Sequence, residues 1–319
     1  MAPLGLSFST LDVFTTTRFT GNPLAVVHVP ASQPLSQATK QAIAAEFNLS
    51  ETVLLHTPPH DEADSATEWR LDIFTTDAEL PLAGHPLIGT ACQLARQRPA
   101  LASGTLVTKA GRVPVTWTAD GHAAVDIPHA VHVHAARLPR DEVLRLQPGL
   151  VDWAGALELD AGGCPVVSIV QGMTFALVEL PSTEALDVVA TAAARLQEAA
   201  LLDAAWRPSF VGMYFYVRGC KDSGTERMRL HCRMVDGTLE DSATGSAACT
   251  LAAYLALRQA GEGETKNGRG YAFEIVQGER MGRRSEIHVD VQMGKAGERA
   301  AVERVTLRGT AVAVMQGIL

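Results

Sequence analysis

The sequence lacks the features of a membrane or secreted protein. Its 319 residues contain no apolar run near the ~20 residues that span a bilayer, and residues 1–7 lack the charged and apolar regions of a secretory signal. The five cysteines, an odd number, form no Cys-x-x-Cys pair, which argues against a disulfide framework or a zinc-thiolate site. We therefore expect a cytoplasmic protein with reduced, mostly buried thiols and no membrane partner.

Several functional signatures are also missing. The sequence contains no Gly-x-x-x-x-Gly-Lys, no Gly-x-Gly-x-x-Gly after a strand and no Gly-x-Ser-x-Gly, so nothing in it supports nucleotide binding or serine-hydrolase chemistry. A formal net charge of −8 argues against nucleic acid as a partner. The composition, 47% hydrophobic and 19% charged, is that of a globular protein long enough for two domains.

The most informative feature present is a repeated turn. Residues 79–86 and residues 240–247 each follow a strand-like run and lead into an Ala/Leu-rich helical stretch, with Gly84 and Gly245 at corresponding places. A glycine at the start of a helix lets a ligand approach the backbone, and first-turn N–H groups attract anions. The repeat predicts two similar halves that bind one carboxylate substrate.

The two turns differ in the side chains that could carry chemistry. His85, at the head of a helix, would be held neutral by the helix dipole, although a lone histidine is more often a solvated or cap residue. Asp241 could accept a hydrogen bond from substrate or act as a base, and Ser246 could bind a carboxylate. Asp241 and Thr244 could equally cap the following helix, and the run alone leaves both interpretations open.

Glu51 is a further candidate, because it precedes a strongly apolar strand. Its carboxylate would then lie at the rim of a cleft with a raised pKa. However, Asn48 followed three residues later by Glu51 also matches a capping pattern. Taken alone, the residues favour a turn.

Histidines concentrate in one segment, where four of the ten lie between His122 and His134. His132 and His134 would face one side of a strand, as metal ligands can. No cysteine or carboxylate completes the set nearby in the sequence, so we favour a surface or interdomain strand over a metal site.

The order of elements predicts an α+β protein, since runs of strands outnumber helices. The domain change is expected near residues 128–140. The expected strands are a hairpin over 8–29, a strand at 52–55, a meander over 105–127, and strands at 166–170, 175–180, 210–217, 228–235, 272–277, 285–292 and 302–316. The expected helices are 36–47, 183–202 with Thr183 as its cap, and one from the second glycine turn to about 257, followed by a loop over 259–270.

Together these motifs resemble the PhzF-like family, which shares the diaminopimelate-epimerase fold. The resemblance runs nearly end to end and rests on residues 19–23, 48–52, 79–81, 83–86, 240–241, 243–247, 277–278 and 282–283. It implies two similar domains, each a mostly antiparallel β-barrel-like sheet around a central helix. The first would comprise residues 1–130 and a returning C-terminal strand within 305–319, and the second residues 131–304.

The resemblance also implies a cofactor- and metal-independent isomerase that works as a homodimer on a small carboxylate-bearing metabolite. The family's general acid/base maps onto Glu51, which overrides the turn interpretation. His85 and Asp241 join it as catalytic residues. The implied substrate-binding residues are Gly84, Thr244, Gly245 and Ser246. Related epimerases use a cysteine at each helix start, where this chain has glycine, so two-thiol racemisation is not expected.

The leading hypothesis is therefore proton transfer on a substrate of the dihydro-hydroxyanthranilate type. Two alternatives remain at this point. One is a one-base racemase, epimerase or lyase acting on an amino or hydroxy acid. The other is a non-catalytic protein that binds a small carboxylate.

Overall fold

The computed structural model describes residues 5–58, 65–118, 121–157, 162–219, 227–262, 269–294 and 301–319. They form two compact units, the first comprising residues 1–127 with 307–319 and the second residues 128–306. In these ranges, no helix combines the length and the apolar character needed to cross a bilayer. Four cysteines, Cys92, Cys164, Cys232 and Cys249, are buried and free, as expected, and Cys220 lies outside the described residues.

The first unit is a strand-rich body around one buried helix. Its helices are α1 (Gln37–Phe47) and α2 (Gly84–Gln97). Its strands are β1 (Ser7–Val13), β2 (Asn22–Pro30), β3 (Thr52–Thr57), β4 (Glu68–Phe74), β5 (Glu79–Leu80), β6 (Ser103–Thr108), β7 (Gly111–Trp117) and β8 (Ala123–Asp126), joined by the end of the chain.

Pairing in this unit is mostly antiparallel. β1 pairs with β2, β3 with β4, β6 with β7 and β7 with β8 in antiparallel fashion, whereas β2–β3 and β4–β6 are parallel. Every residue of α2 from His85 to Leu94 is buried, as expected of a helix enclosed by its sheet. Gly89 allows this packing, because a Cβ there would lie 2.4 Å from Leu24 Cδ2.

The second unit repeats this plan. Its helices are α3 (Arg140–Leu146), α4 (Thr183–Asp187), α5 (Glu198–Leu201) and α6 (Gly245–Glu262). Its strands are β9 (His132–Leu138), β10 (Cys164–Val170), β11 (Met173–Glu179), β12 (Phe210–Arg218), β13 (Met228–Asp236), β14 (Leu239–Asp241), β15 (Gly270–Gln277) and β16 (Ser285–Met293). Residues 247–256 of α6 are all buried, so this helix fills the place that α2 fills in the first unit.

The chain ends with β17 (Val302–Gly309) and β18 (Ala311–Ile318). The predicted single strand over 302–316 is thus divided at Thr310. β18 pairs antiparallel with β1, from Ser7 opposite Ile318 to Val13 opposite Ala311. The last strand of the chain therefore lies beside its first strand.

The predicted helix over 183–202 is wrong. Helix is confined to α4 and α5, and the cap is Ser182, whose hydroxyl accepts a hydrogen bond from Ala185 N. Backbone groups that a continuous helix would hydrogen-bond internally form tertiary hydrogen bonds instead. The Gln147 amide bonds both Ala190 N, at 2.8 Å, and Ala190 O, at 2.7 Å, and Ala192 N donates to Gly237 O at 2.8 Å.

Two further boundaries differ from expectation. α6 continues to Glu262, beyond the predicted end near 257, so the beginning of the predicted loop over 259–270 is helical. Residues 263–268 of that loop lie outside the described residues. The other predicted elements occur within a few residues of their expected places.

Candidate active site

Both copies of the repeated turn have the same local structure. In the first unit, β4 is followed by the short antiparallel strand β5 and then by α2, which begins at Gly84. In the second unit, β13 is followed by the short antiparallel strand β14 and then by α6, which begins at Gly245. His85 and Ser246 are therefore each the second residue of a buried helix.

The first unit brings Glu51 and His85 together. Glu51 immediately precedes β3, and His85 lies in the first turn of α2. His85 Nδ1 is 3.2 Å from Glu51 Oε2, and only 4% of the histidine side chain and 19% of the glutamate side chain are exposed. Two residues that are distant in the sequence thus form a pair shielded from most of the solvent.

Burial changes the acidity of Glu51. Removal from water disfavours the carboxylate and raises the pKa of Glu51 to about 7, against a smaller opposing effect of a hydrogen bond with Ser50. A carboxyl group with this pKa populates both protonation states near neutral pH. It can therefore accept a proton and return it.

Local geometry explains how Glu51 is placed. Asn48 ends α1 in the left-handed conformation, with φ at 50°, and its N–H donates to Ala44 O. The chain then enters β3, which runs parallel to β2 with Thr52 opposite Ala25. Asn48 therefore terminates a helix and does not cap a new one, and residues 48–50 form the turn that leads to Glu51.

Ser50 and Asn22 support this position, and our sequence interpretation gave neither of them a role. Ser50 donates from Oγ to Asn22 Oδ1 at 3.4 Å. Asn22 begins β2 directly after Gly21, whose φ is +68° and where a Cβ would lie 2.3 Å from Val13 O. Glycine is required there, which gives the Gly-Asn-Pro motif of this turn a structural role.

The first turn of α2 lacks a side-chain cap, which leaves backbone N–H groups available to a ligand. Its N-cap residue, Ala83, has an extended backbone and provides no side-chain hydrogen bond to the helix. In α1, by contrast, Ser36 caps the helix by accepting from Thr39 N. The uncapped first turn at Gly84 and His85 presents the positive end of the helix dipole.

The second unit brings Asp241 and Thr244 together. Thr244 Oγ1 donates to Asp241 Oδ2 at 2.6 Å. The fully buried Gln277 donates from Nε2 to Asp241 O at 2.8 Å and to Thr244 Oγ1 at 3.0 Å. Gln277 Oε1 in turn accepts from the buried Tyr214 hydroxyl at 3.0 Å. This network fixes the turn ahead of α6.

Of the predicted binding residues in this turn, Ser246 is the one whose side chain remains uncommitted. Its backbone carbonyl accepts from Thr250 Oγ1 at 2.7 Å, whereas its hydroxyl makes no hydrogen bond to any residue in the described ranges. Gln277 belongs to the Gln-Gly motif noted in the sequence, but nothing in the pattern pointed to Tyr214. The hydrogen bond between these two side chains became apparent only from the structure.

The cysteines of the two central helices are not placed for thiolate chemistry. Burial raises the pKa of Cys92 to about 11 and that of Cys249 to about 12. Both are therefore neutral thiols near pH 7.

Known proteins match the chain along nearly its whole length. The family described as "Phenazine biosynthesis-like protein" (PhzC-PhzF) matches residues 11–317. The chain is 33% identical over 296 residues to an uncharacterized isomerase of Mesorhizobium japonicum, covering 89% of this chain and 90% of the relative. It is 30% identical over 310 residues to trans-2,3-dihydro-3-hydroxyanthranilate isomerase of Pseudomonas aeruginosa, covering 95% and 96%.

Solved structures give the same result for the fold. The crystal structure of a PhzF-family phenazine biosynthesis protein from Bacillus anthracis matches with a TM-score of 0.73 at 21% identity, covering 98% of both chains. At this identity the likeness concerns the fold alone. Together, the matches confirm the resemblance and the α+β fold class predicted from the sequence.

Proposed function

Because this chain belongs to the phenazine biosynthesis-like (PhzC-PhzF) protein family and is an isomerase, we propose that it moves a proton between carbons of a small carboxylate-bearing substrate with Glu51 as the acid/base. The observation that carries this proposal is the buried Glu51 carboxyl group, 3.2 Å from His85 Nδ1, whose pKa is raised to about 7. A single group that exchanges a proton at neutral pH is what such a reaction requires.

In the proposed reaction, the Glu51 carboxylate removes a proton from a carbon next to an unsaturated or carboxylate-stabilised position. The electron pair of that C–H bond shifts the double bond, and the resulting carboxylic acid delivers the same proton to another carbon. Substrate and product are isomers, and Glu51 ends as a carboxylate. His85 positions the glutamate through Nδ1. Low solvent access limits exchange of the transferred proton.

The remaining roles belong to the proposal as well. The first turns of α2 and α6, at Gly84 and Gly245, would bind carboxylate oxygens through backbone N–H groups. Ser246 would add a hydroxyl donor, and Asp241, held by Thr244, would accept a hydrogen bond from an amino or hydroxyl group of the substrate. We further propose a homodimer whose proton transfer needs neither metal nor organic cofactor.

For the substrate, we propose a dihydro-hydroxyanthranilate-type compound. The support is the relative named trans-2,3-dihydro-3-hydroxyanthranilate isomerase, which is 30% identical over nearly the whole chain. Such a compound has both a carboxylate and an unsaturated ring. It therefore meets the two chemical requirements that follow from Glu51 and the helix starts.

The test is turnover in deuterated water. Wild-type enzyme is incubated with trans-2,3-dihydro-3-hydroxyanthranilate and with a panel of amino and hydroxy acids, and products are followed by NMR and chiral chromatography. Glu51→Gln should abolish isomerisation while substrate still binds. The matched control is Glu46→Gln, since Glu46 is an exposed residue of α1, and it should retain wild-type turnover. Unchanged turnover in Glu51→Gln would rule out the proposal.

A further inference from the structure

The second unit contains a cluster of three side chains that the proposed reaction does not use. β9 carries His132 and His134 on the same face, as residues two apart in a strand are. Asp203, the residue before a short 3-10 helix at Ala204–Trp206, faces both of them. His132 Nε2 lies 2.7 Å from Asp203 Oδ2, and His134 Nδ1 lies 3.7 Å from the same oxygen.

We propose that His132, His134 and Asp203 bind a divalent transition-metal ion of the zinc class. One nitrogen of each histidine and a carboxylate oxygen of Asp203 all lie within 4.8 Å of one another. Around a tetrahedral ion with bonds of about 2.0–2.1 Å, neighbouring ligand atoms lie roughly 3.3 Å apart. The distances of 2.7 and 3.7 Å to Asp203 bracket that value, and a water molecule would complete the coordination.

The hydrogen bonds of His134 set the tautomer that this site needs. The backbone N–H of Asp203 donates to His134 Nδ1 at 3.1 Å, so Nδ1 carries the lone pair. The proton is then on Nε2, which lies 2.9 Å from Ser168 Oγ. In a metal-binding histidine, the ring nitrogen that does not bind the metal usually donates a hydrogen bond to a protein group. On binding, the ion would replace the Asp203 N–H as the partner of Nδ1.

The surroundings hold the ligands but leave a path for the ion. The His132 ring stacks on Trp206, with centroids 4.5 Å apart and planes at 8°. The His134 side chain is fully buried, whereas those of His132 and Asp203 are 33% and 37% exposed. An ion bound there would join β9 to the segment that leads into the 3-10 helix, and would stabilise that connection in the folded state.

The test is titration of tag-free, EDTA-treated protein with Zn²⁺ by isothermal calorimetry, and with Co²⁺ by visible absorption. We expect one saturable equivalent per chain and the absorption of a tetrahedral Co²⁺ complex. Asp203→Asn and His132→Gln should each weaken Zn²⁺ binding by about tenfold or more. His231→Gln is the matched control, because His231 pairs with Glu279, at 3.0 Å, and it should bind like wild type.

Two results would overturn the metal site. One is the absence of saturable Zn²⁺ binding by folded wild-type protein, and the other is equal affinity in the wild type and in either ligand variant. Circular dichroism identifies a variant that fails to fold, and the wild-type stoichiometry and Co²⁺ spectrum then decide the question. The outcome is independent of Glu51, so it does not depend on the proposed isomerisation.

Discussion

The amide of Gln277 holds the backbone carbonyl of Asp241 through a 2.8 Å hydrogen bond in the interior of the second unit. The same amide also contacts the hydroxyls of Thr244 and Tyr214. One buried side chain thus fixes the conformation of the turn that precedes α6.

Replacing Gln277 by Ala should lower both stability and turnover. The change leaves buried partners of the amide without hydrogen bonds, each at a penalty of about 1–3 kcal/mol. Urea unfolding gives the stability, and a steady-state assay gives kcat. Gln316→Ala, at an exposed position of β18, is the control and should change neither. A fully active Gln277→Ala would show that the turn does not need this support.

The protonation of Glu51 should make stability depend on pH. Its folded-state pKa is raised from 4.5 to about 7, so the folded state binds more protons than the unfolded state between these values. The free energy of unfolding therefore decreases as pH rises through this window, by on the order of 3 kcal/mol at most. Glu51→Gln should remove this decrease. Urea unfolding at pH 5 and pH 8 tests it, and equal pH dependence in both proteins would contradict it.

The ionisation of Glu51 should also make turnover depend on pH, with the opposite sign to stability. Glu51 must be a carboxylate to remove the first proton, so kcat/KM should fall as pH drops below about 7. A pH profile of wild-type enzyme measures this. A profile that is flat between pH 5 and pH 8 would show that another group is the base.

Lys40→Met should destabilise the first unit. Lys40 in α1 forms a buried ion pair with Asp72 in β4, and His56 Nε2 lies 2.7 Å from the same carboxylate. Lys40→Met removes one partner of the buried Asp72 carboxylate, which keeps His56 and Arg70 nearby. Stability should therefore fall, but by less than the roughly 3–5 kcal/mol expected when a buried charge loses all compensation. Lys109→Met is the matched control, since Lys109 is 60% exposed in its pair with Glu79 and should lose less than about 1 kcal/mol. Urea unfolding of both variants compares them directly.

Two Gly→Ala substitutions in the central helices should have opposite effects. At Gly89, a Cβ would lie 2.4 Å from Leu24 Cδ2 and 2.8 Å from Val13 Cγ2, so Gly89→Ala should lower stability by about 1–3 kcal/mol through overpacking. At Gly261, near the end of α6, nothing lies within 4 Å. Gly261→Ala should raise stability by up to about 1 kcal/mol through helix propensity. Thermal unfolding of both variants measures whether Gly89→Ala lowers stability and Gly261→Ala raises it.

Sequence patterns predicted the features that depend on short segments. The two glycine turns and the helices they open follow from residues that are neighbours in the chain, as do most strands. The predicted helix over 183–202 is not continuous, because its backbone groups form tertiary hydrogen bonds with Gln147 and Gly237. Helical spacing does not report such partners.

The candidate site shows the same limit. No local pattern favoured Glu51 over a turn, because its chemistry depends on burial and on His85, which approaches from a separate helix. Only the family resemblance identified it. Asp203 was missed for a similar reason, since it reaches His132 from 71 positions away in the chain.

The pairing of β18 with β1 has a consequence for biosynthesis. Residues 128–306 form one unit from a continuous stretch of chain, and that stretch can collapse as soon as it leaves the ribosome. The other unit is completed later, because β1, which pairs with β2 on one side, gains its second antiparallel neighbour only when residues 311–318 have been made. Until then one edge of β1 lacks that partner, and an exposed strand edge can pair with other chains. The unit that begins first in synthesis is thus the one completed last.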